Sequence, residues 1–169
     1  DYSYFSSSRK LGEDVHKVFL QLTSMTAAEN LDRLLTAPFA LFDALKAKIE
    51  REIGHAETGS EARIIAKINA LIEPQIIDTL YRASAAGVKI DLIVRGMCAL
   101  RPGVPGLSDN IRVRSIVGRF LEHSRIYYFH NGGKEEYFCS SADWMERNFF
   151  HRTEVCFPIR QQPLKERLK

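Results

Sequence analysis

The chain has 169 residues, 45% of them hydrophobic and 27% charged, with a formal net charge of +3. That length supports one ordinary core with a helical appendage and argues against two full domains. No apolar run approaches the length of a membrane span and no basic-then-apolar leader is present, so the expectation is a cytoplasmic protein without an integral membrane segment.

Cys98, Cys139 and Cys156 are too far apart for a paired-cysteine zinc knuckle, and they read as reduced thiols packed as small core residues. The first residue is Asp1 rather than Met, and the run Leu164-Lys165-Glu166-Arg167-Leu168-Lys169 is helix-prone. Both ends are therefore expected to continue in a longer protein.

Leu11, Val15, Val18, Phe19 and Leu22 recur at helical spacing, and Thr26-x-x-Glu29 reads as a capping box ahead of Leu31, Leu34 and Leu35. Residues 9–35 thus predict two short helices. Pro38 breaks the pattern, so 39–41 reads as a short strand or lead-in to a helix near 42–56, which Gly54 to Gly59 ends. A strand–helix–strand unit follows: strand 62–69, a helix from Pro74, and strand 88–94 after Gly87. Ile64-Ile65-Ala66 and Leu92-Ile93-Val94 are apolar on both faces, which predicts a parallel sheet between two helical layers.

Pro102, Gly103, Pro105 and Gly106 set a loop, after which Ile111-Arg112-Val113-Arg114 alternates and should bury Ile111 and Val113. Strands 126–129 and 135–139 flank the turn signal Asn131-Gly132-Gly133, and 153–159 completes the set. The fold class is α/β: a mixed, largely parallel sheet flanked by helices, with a short N-terminal helical segment. Its predicted divisions are a helical tail over 1–35, the main domain over 36–160, and the start of a helix over 161–169.

Positive charge is concentrated between residues 95 and 125, where six arginines face only Asp109 and Glu122 and no lysine occurs. A guanidinium offers a fixed fork of donors matched to phosphate oxygens. In open α/β sheets ligands sit beyond the carboxyl ends of the strands, which is where Lys67, Asn69 and Arg95 fall. The run Gly118 to Arg125 sets His123 beside Arg125, and the chain returns a hairpin later to Ser140-Ser141. His123 is the candidate catalytic group, an imidazole available as acceptor or nucleophile. Ser140 and Ser141 either donate to phosphate oxygens or cap the turn before Trp144. Glu154, alone in an apolar strand, is expected to hydrogen-bond a cation or an imidazole. His16, His55, His130 and His151 supply no second motif of this kind, so the chain carries half of a phosphate-handling site. Neither a Gly-x-x-x-x-Gly-Lys-Ser/Thr loop nor a Gly-x-Gly-x-x-Gly turn is present, and no metal-ligand histidine pair appears.

The runs from Ile64 to Leu71, Ala85 to Gly96, Leu107 to Arg112, Arg119 to His123 and Ser140 to Asn148 resemble the C-terminal catalytic part of the type-1 polyphosphate kinases. That family is in turn similar to the phospholipase D superfamily, whose half-sites each contribute a histidine from a His-x-Lys motif. The chain departs from the wider pattern: Arg125 stands for Lys, His130-Asn131 for an aspartate, and Ser140-Ser141-x-Asp143 for Gly-Ser-x-Asn.

The resemblance implies reversible transfer of the ATP terminal phosphate to inorganic polyphosphate through a phosphohistidine. That histidine, the magnesium ligands and an adenine-stacking tyrosine would all precede Asp1. His123 would face the phosphorylated histidine, and Arg95 would contact nucleotide phosphate, with Lys67, Asn69, Arg125 and Ser141 as further phosphate-binding candidates and Glu154 as an orienting carboxylate. The implied partners are ATP or ADP, polyphosphate and the preceding catalytic domain, with room for a homo-oligomer, no nucleic acid, and at most peripheral membrane association. The rival readings are a phospholipase D-type phosphodiesterase or nuclease half-site and a non-catalytic polyphosphate- or anion-binding module.

Overall fold

A computed structural model describes residues 3–24 and 30–168, so the capping box at Thr26 and Glu29 lies outside the described residues. The elements run α1 (Arg9–Ser24), β1 (Leu35–Ala37), α2 (Leu41–Glu57), β2 (Arg63–Ile68), α3 (Pro74–Ala85), β3 (Lys89–Val94), β4 (Ile111–Arg114), β5 (Arg125–Phe129), β6 (Glu136–Ser140), α4 (Glu146–Phe150), β7 (Glu154–Ile159) and α5 (Gln162–Leu168).

Seven strands form one sheet in the order β1-β7-β6-β5-β2-β3-β4. The sheet is mixed, as expected, but its balance is not. Only β2–β3 and β3–β4 pair in parallel, and the other four pairings are antiparallel. Strand hydropathy reports burial and not direction: β5 already meets β2 antiparallel, and the hairpin at Asn131–Gly133 reverses the chain again into β6.

The strand–helix–strand unit forms because its punctuation is complete. Pro74 opens α3, the Glu73 carboxylate accepts from the Ile76 N–H at 2.7 Å, and Gly87 supplies the positive φ (97°) that ends the turn. Ile64, Ala66, Ile68, Ile90, Leu92 and Val94 then point to one face and pack against Leu45, Ile49, Ile76 and Leu80 of α2 and α3.

Burial on β2 alternates strictly, which corrects the expectation of two buried faces. The other face of β2 and β3 carries Arg63, Lys67 and Asp91, and Asp91 takes Arg63 at 2.9 Å and Arg112 at 3.0 Å. Further along the sheet this second face holds a smaller cluster of Tyr128, Tyr137 and Ile159, covered by Tyr4 and by Leu164 and Leu168 of α5.

Among the described residues, 30–35 form no second helix after α1. The buried Asp14 carboxylate takes the backbone N–H groups of Asp32 (3.0 Å), Arg33 (2.6 Å) and Leu34 (2.9 Å), donors that a helix would direct to its own carbonyls. Leu35 to Ala37 continues instead as an edge strand on β7. The short strand expected over 39–41 is therefore found four residues earlier, and Leu41 already belongs to α2.

Candidate functional site

Strand direction gathers the candidate residues at one edge of the sheet. Lys67 is the penultimate residue of β2 and Arg95 follows β3. Because β5 runs antiparallel to β2 and β6 to β5, Arg125 begins its strand and Ser140 ends its own at that same edge, directly opposite each other. Glu154 starts β7 there as well.

Three of the predicted residues share a cavity of about 380 Å³. His123, Arg125 and Ser141 line it together with Ser124, Ser140 and Cys139. His123 sits in an irregular, exposed stretch between β4 and β5, and its imidazole bonds to no other described residue. Burial pushes the Cys139 thiol up to about 11, so this wall of the cavity stays uncharged at neutral pH.

Lys67, Asn69 and Arg95 do not line that cavity, and two of them are spent on protein groups. The Lys67 ammonium donates to the carbonyl oxygen (2.8 Å) and Oγ (2.7 Å) of Ser124 and lies 3.4 Å from the Glu122 carboxylate. It thus anchors the segment that carries His123. The Asn69 backbone N–H donates to Asp143 Oδ1 at 2.7 Å, and its side-chain amide reaches Oδ2 at 3.5 Å. Arg95 differs: its guanidinium has no described partner, and one terminal nitrogen, Nη1, is buried without an acceptor.

Arg125 is not a free phosphate fork. Nε and Nη2 meet the two oxygens of Asp143 at 3.1 and 2.9 Å, and Nη1 donates to the His123 carbonyl at 2.9 Å. Burial pushes the Asp143 carboxyl up, but the Arg125 guanidinium and the Asn69 N–H outweigh it and hold the group below its ordinary value.

Behind the cavity, the hydroxyls are committed inward. Ser140 Oγ donates to the Val155 carbonyl at 3.1 Å and accepts from the Ala142 N–H. Ser141 Oγ donates to Glu154 Oε2 and accepts from the Val155 N–H at 3.0 Å. Each hydroxyl has one proton, so in this arrangement neither offers it to a phosphate oxygen. Glu154 is buried and bonds a hydroxyl and an amide, Ser141 and Asn148, rather than the cation or imidazole its isolation in the strand suggested.

Asp143, Ser124 and Asn148 were not among the site residues expected from the sequence. Asp143 had a signal, since an acidic residue stood where the wider pattern has Asn, across the hairpin from an arginine. Ser124 and Asn148 had none. Among the described residues, no three His, Cys, Asp or Glu side chains converge to hold a metal ion.

The edge thus combines an exposed imidazole, a guanidinium without a described partner and a cavity with polar and apolar walls, on a sheet whose architecture recurs in other proteins. Nuc from Salmonella typhimurium, a phospholipase D family member, matches at a TM-score of 0.58 and 12% identity over 80% of this chain and 87% of that one. NucT from Helicobacter pylori matches at 0.55 and 16%, over 80% and 89%. At that identity the likeness defines a phospholipase D-like fold and no more.

Closer similarity identifies the family. Residues 34–169 match the domain described as polyphosphate kinase C-terminal domain 2. The chain is 58% identical to polyphosphate kinase from Burkholderia cenocepacia over 168 residues, covering 99% of itself and 24% of that protein. The crystal structure of polyphosphate kinase from Porphyromonas gingivalis superposes with a TM-score of 0.92 at 44% identity, over 96% of this chain and 25% of that one. The chain belongs to the polyphosphate kinase family, and it spans about a quarter of the length of these relatives.

Proposed function

We propose that this chain forms one half of the active site of an ATP:polyphosphate phosphotransferase. The terminal phosphoryl group leaves ATP for a histidine nitrogen in the preceding domain, releasing ADP, and passes from that nitrogen to the terminal oxygen of polyphosphate. Both steps run in reverse. His123 faces the transferring phosphate from this side. Phosphoryl transfer asks a protein mainly for positioning and for neutralisation of charge.

The observation that carries this reading is Arg95. A guanidinium with a buried, unpartnered nitrogen at the carboxyl end of a parallel strand is a donor waiting for an anion. Lys67, Asn69 and Arg125 serve the same reading from behind, by fixing the segment that carries His123, while Glu154 fixes Ser141 in the cavity wall. Magnesium, when bound, neutralises phosphate charge from ligands in the preceding domain. The intact enzyme works in the cytoplasm, with peripheral membrane contact at most. No helix among the described residues is long and apolar enough to cross a membrane.

The test compares this chain with an intact polyphosphate kinase that contains it, each incubated with ATP labelled in its terminal phosphate. The intact enzyme should show acid-labile, base-stable phosphoprotein and labelled polyphosphate, and the 169-residue chain neither. Polyphosphate synthesis by this chain alone, near the intact rate, overturns the half-site assignment. Phosphodiester hydrolysis without polyphosphate synthesis by the intact enzyme favours the nuclease reading, and anion binding with no turnover favours the binding module.

A further inference from the structure

Behind Ser141 the cavity wall ends on an amide that the reading above does not use. Asn148, in α4, is 2% exposed. Its Nδ2 donates to Glu154 Oε1 at 2.5 Å, while its Oδ1 is buried with no donor among the described residues. An orphaned buried carbonyl is a standing cost, and leucine, of similar size and shape, would remove it. Reversing the amide would set that oxygen against a carboxylate, so charge fixes its orientation. The useful half of this side chain is the donor aimed at Glu154.

Glu154 is 7% exposed and, among the described residues, has no ion-pair partner. Its two oxygens take the Asn148 amide and the Ser141 hydroxyl. Ser141 also accepts from the Val155 N–H, which leaves its oxygen one lone pair.

We propose that Asn148 is a positioning residue: it holds the Glu154 carboxylate in place, and Glu154 holds the Ser141 hydroxyl so that the cavity shared with His123 meets a lone pair and not a proton. A lone pair there accepts from an N–H and repels a bare phosphate oxygen. It therefore suits the His123 imidazole, which lines the same cavity, as its partner and keeps phosphate oxygens for the arginine side of the site. This inference rests on the kinase reading and concerns the same site.

The decisive measurement is the split between kcat and KM for ATP in the intact kinase, wild type against Asn148→Leu. The substitution removes the donor to Glu154, so the Ser141 hydroxyl loses its fixed role. Asn148→Leu should remain folded. Its kcat should fall about tenfold or more, while the KM for ATP should change less than about threefold. Glu154→Gln should show the same split. If the leucine variant fails to fold, Asn148→Asp keeps the shape without the donor and should lose kcat in the same way. A folded Asn148 variant with wild-type kcat overturns the inference. An intact wild-type enzyme that makes no polyphosphate overturns the kinase reading instead.

Discussion

Arg125 and Asp143 form a two-pronged ion pair, 3.1 and 2.9 Å, between the first residue of β5 and the turn after β6. They occupy two of the positions at which the chain departs from the wider phospholipase D pattern, arginine for lysine and aspartate for asparagine. The two departures are therefore one pairing. It consumes the cation beside His123, and it ties three segments together. Asp143 also takes the Asn69 N–H at the end of β2, and Arg125 also holds the His123 carbonyl. Of the three predicted cationic ligands Lys67, Arg95 and Arg125, Arg95 is then the one whose guanidinium or ammonium has no described partner.

Replacing Asp143 should expose how much the fold depends on that pair. Asp143→Asn keeps the shape but strands a part-buried guanidinium, a change that typically costs about 3 kcal/mol. The pH dependence has a definite sign. The folded Asp143 carboxyl lies below its ordinary value of 3.8, so its contribution is complete above that value and is lost as pH falls through the lower folded value. Urea midpoints of wild type and variant should therefore differ widely at pH 7 and converge toward pH 2. A constant gap across that range would remove the ion pair as the cause.

The sequence displayed the elements more clearly than their partners. Alternation in Ile111 to Arg114, the turn at Asn131–Gly133 and the Pro74 to Gly87 punctuation each express a local preference, and each element formed where it was expected. β1 is only three residues long and follows helix-like leucine spacing, so no local pattern marks it. The hairpin made the joining of Arg125 and Ser140 legible, since turn length sets register. Donor commitments were not. Whether Lys67 meets a phosphate or Ser124, 57 residues away, depends on tertiary distances that no spacing encodes.

Lys67 is predicted to work as an anchor. Lys67→Met keeps the aliphatic stem and removes the bonds to Ser124 and Glu122 that hold the end of the segment before β5. Amide hydrogen exchange between residues 115 and 124 should accelerate about tenfold or more, equivalent to roughly 1.4 kcal/mol of lost local stability, while the β2 and β3 amides stay protected. Unchanged exchange in that segment would return Lys67 to the pool of phosphate ligands.

Arg95→Lys in the intact enzyme keeps the charge and removes the fork. One lost charge-assisted hydrogen bond is worth roughly 1.5 to 3 kcal/mol, or about 10- to 150-fold in kcat/KM. The melting temperature should hold or rise, since Nη1 has no partner to lose in the unliganded protein. Wild-type kinetics in this variant would make Arg95 an ordinary surface cation.

His123→Ala separates a structural histidine from a functional one. A histidine packed into a core pays for its removal in stability, and specific activity per folded molecule survives. His123 is exposed, however, its imidazole bonds no described residue, and only its backbone carbonyl is held, by Arg125. Truncating the side chain leaves that backbone bond in place, so the melting temperature should move by no more than about 2 °C, as for a surface substitution of roughly 0.5 kcal/mol or less. Activity of the intact kinase should nonetheless fall by about 10²–10⁴-fold, the usual cost of losing a positioned imidazole at a reacting group. Initial rate and melting temperature measured on one preparation decide the matter: a destabilised variant that keeps its activity per folded molecule rejects the catalytic assignment of His123.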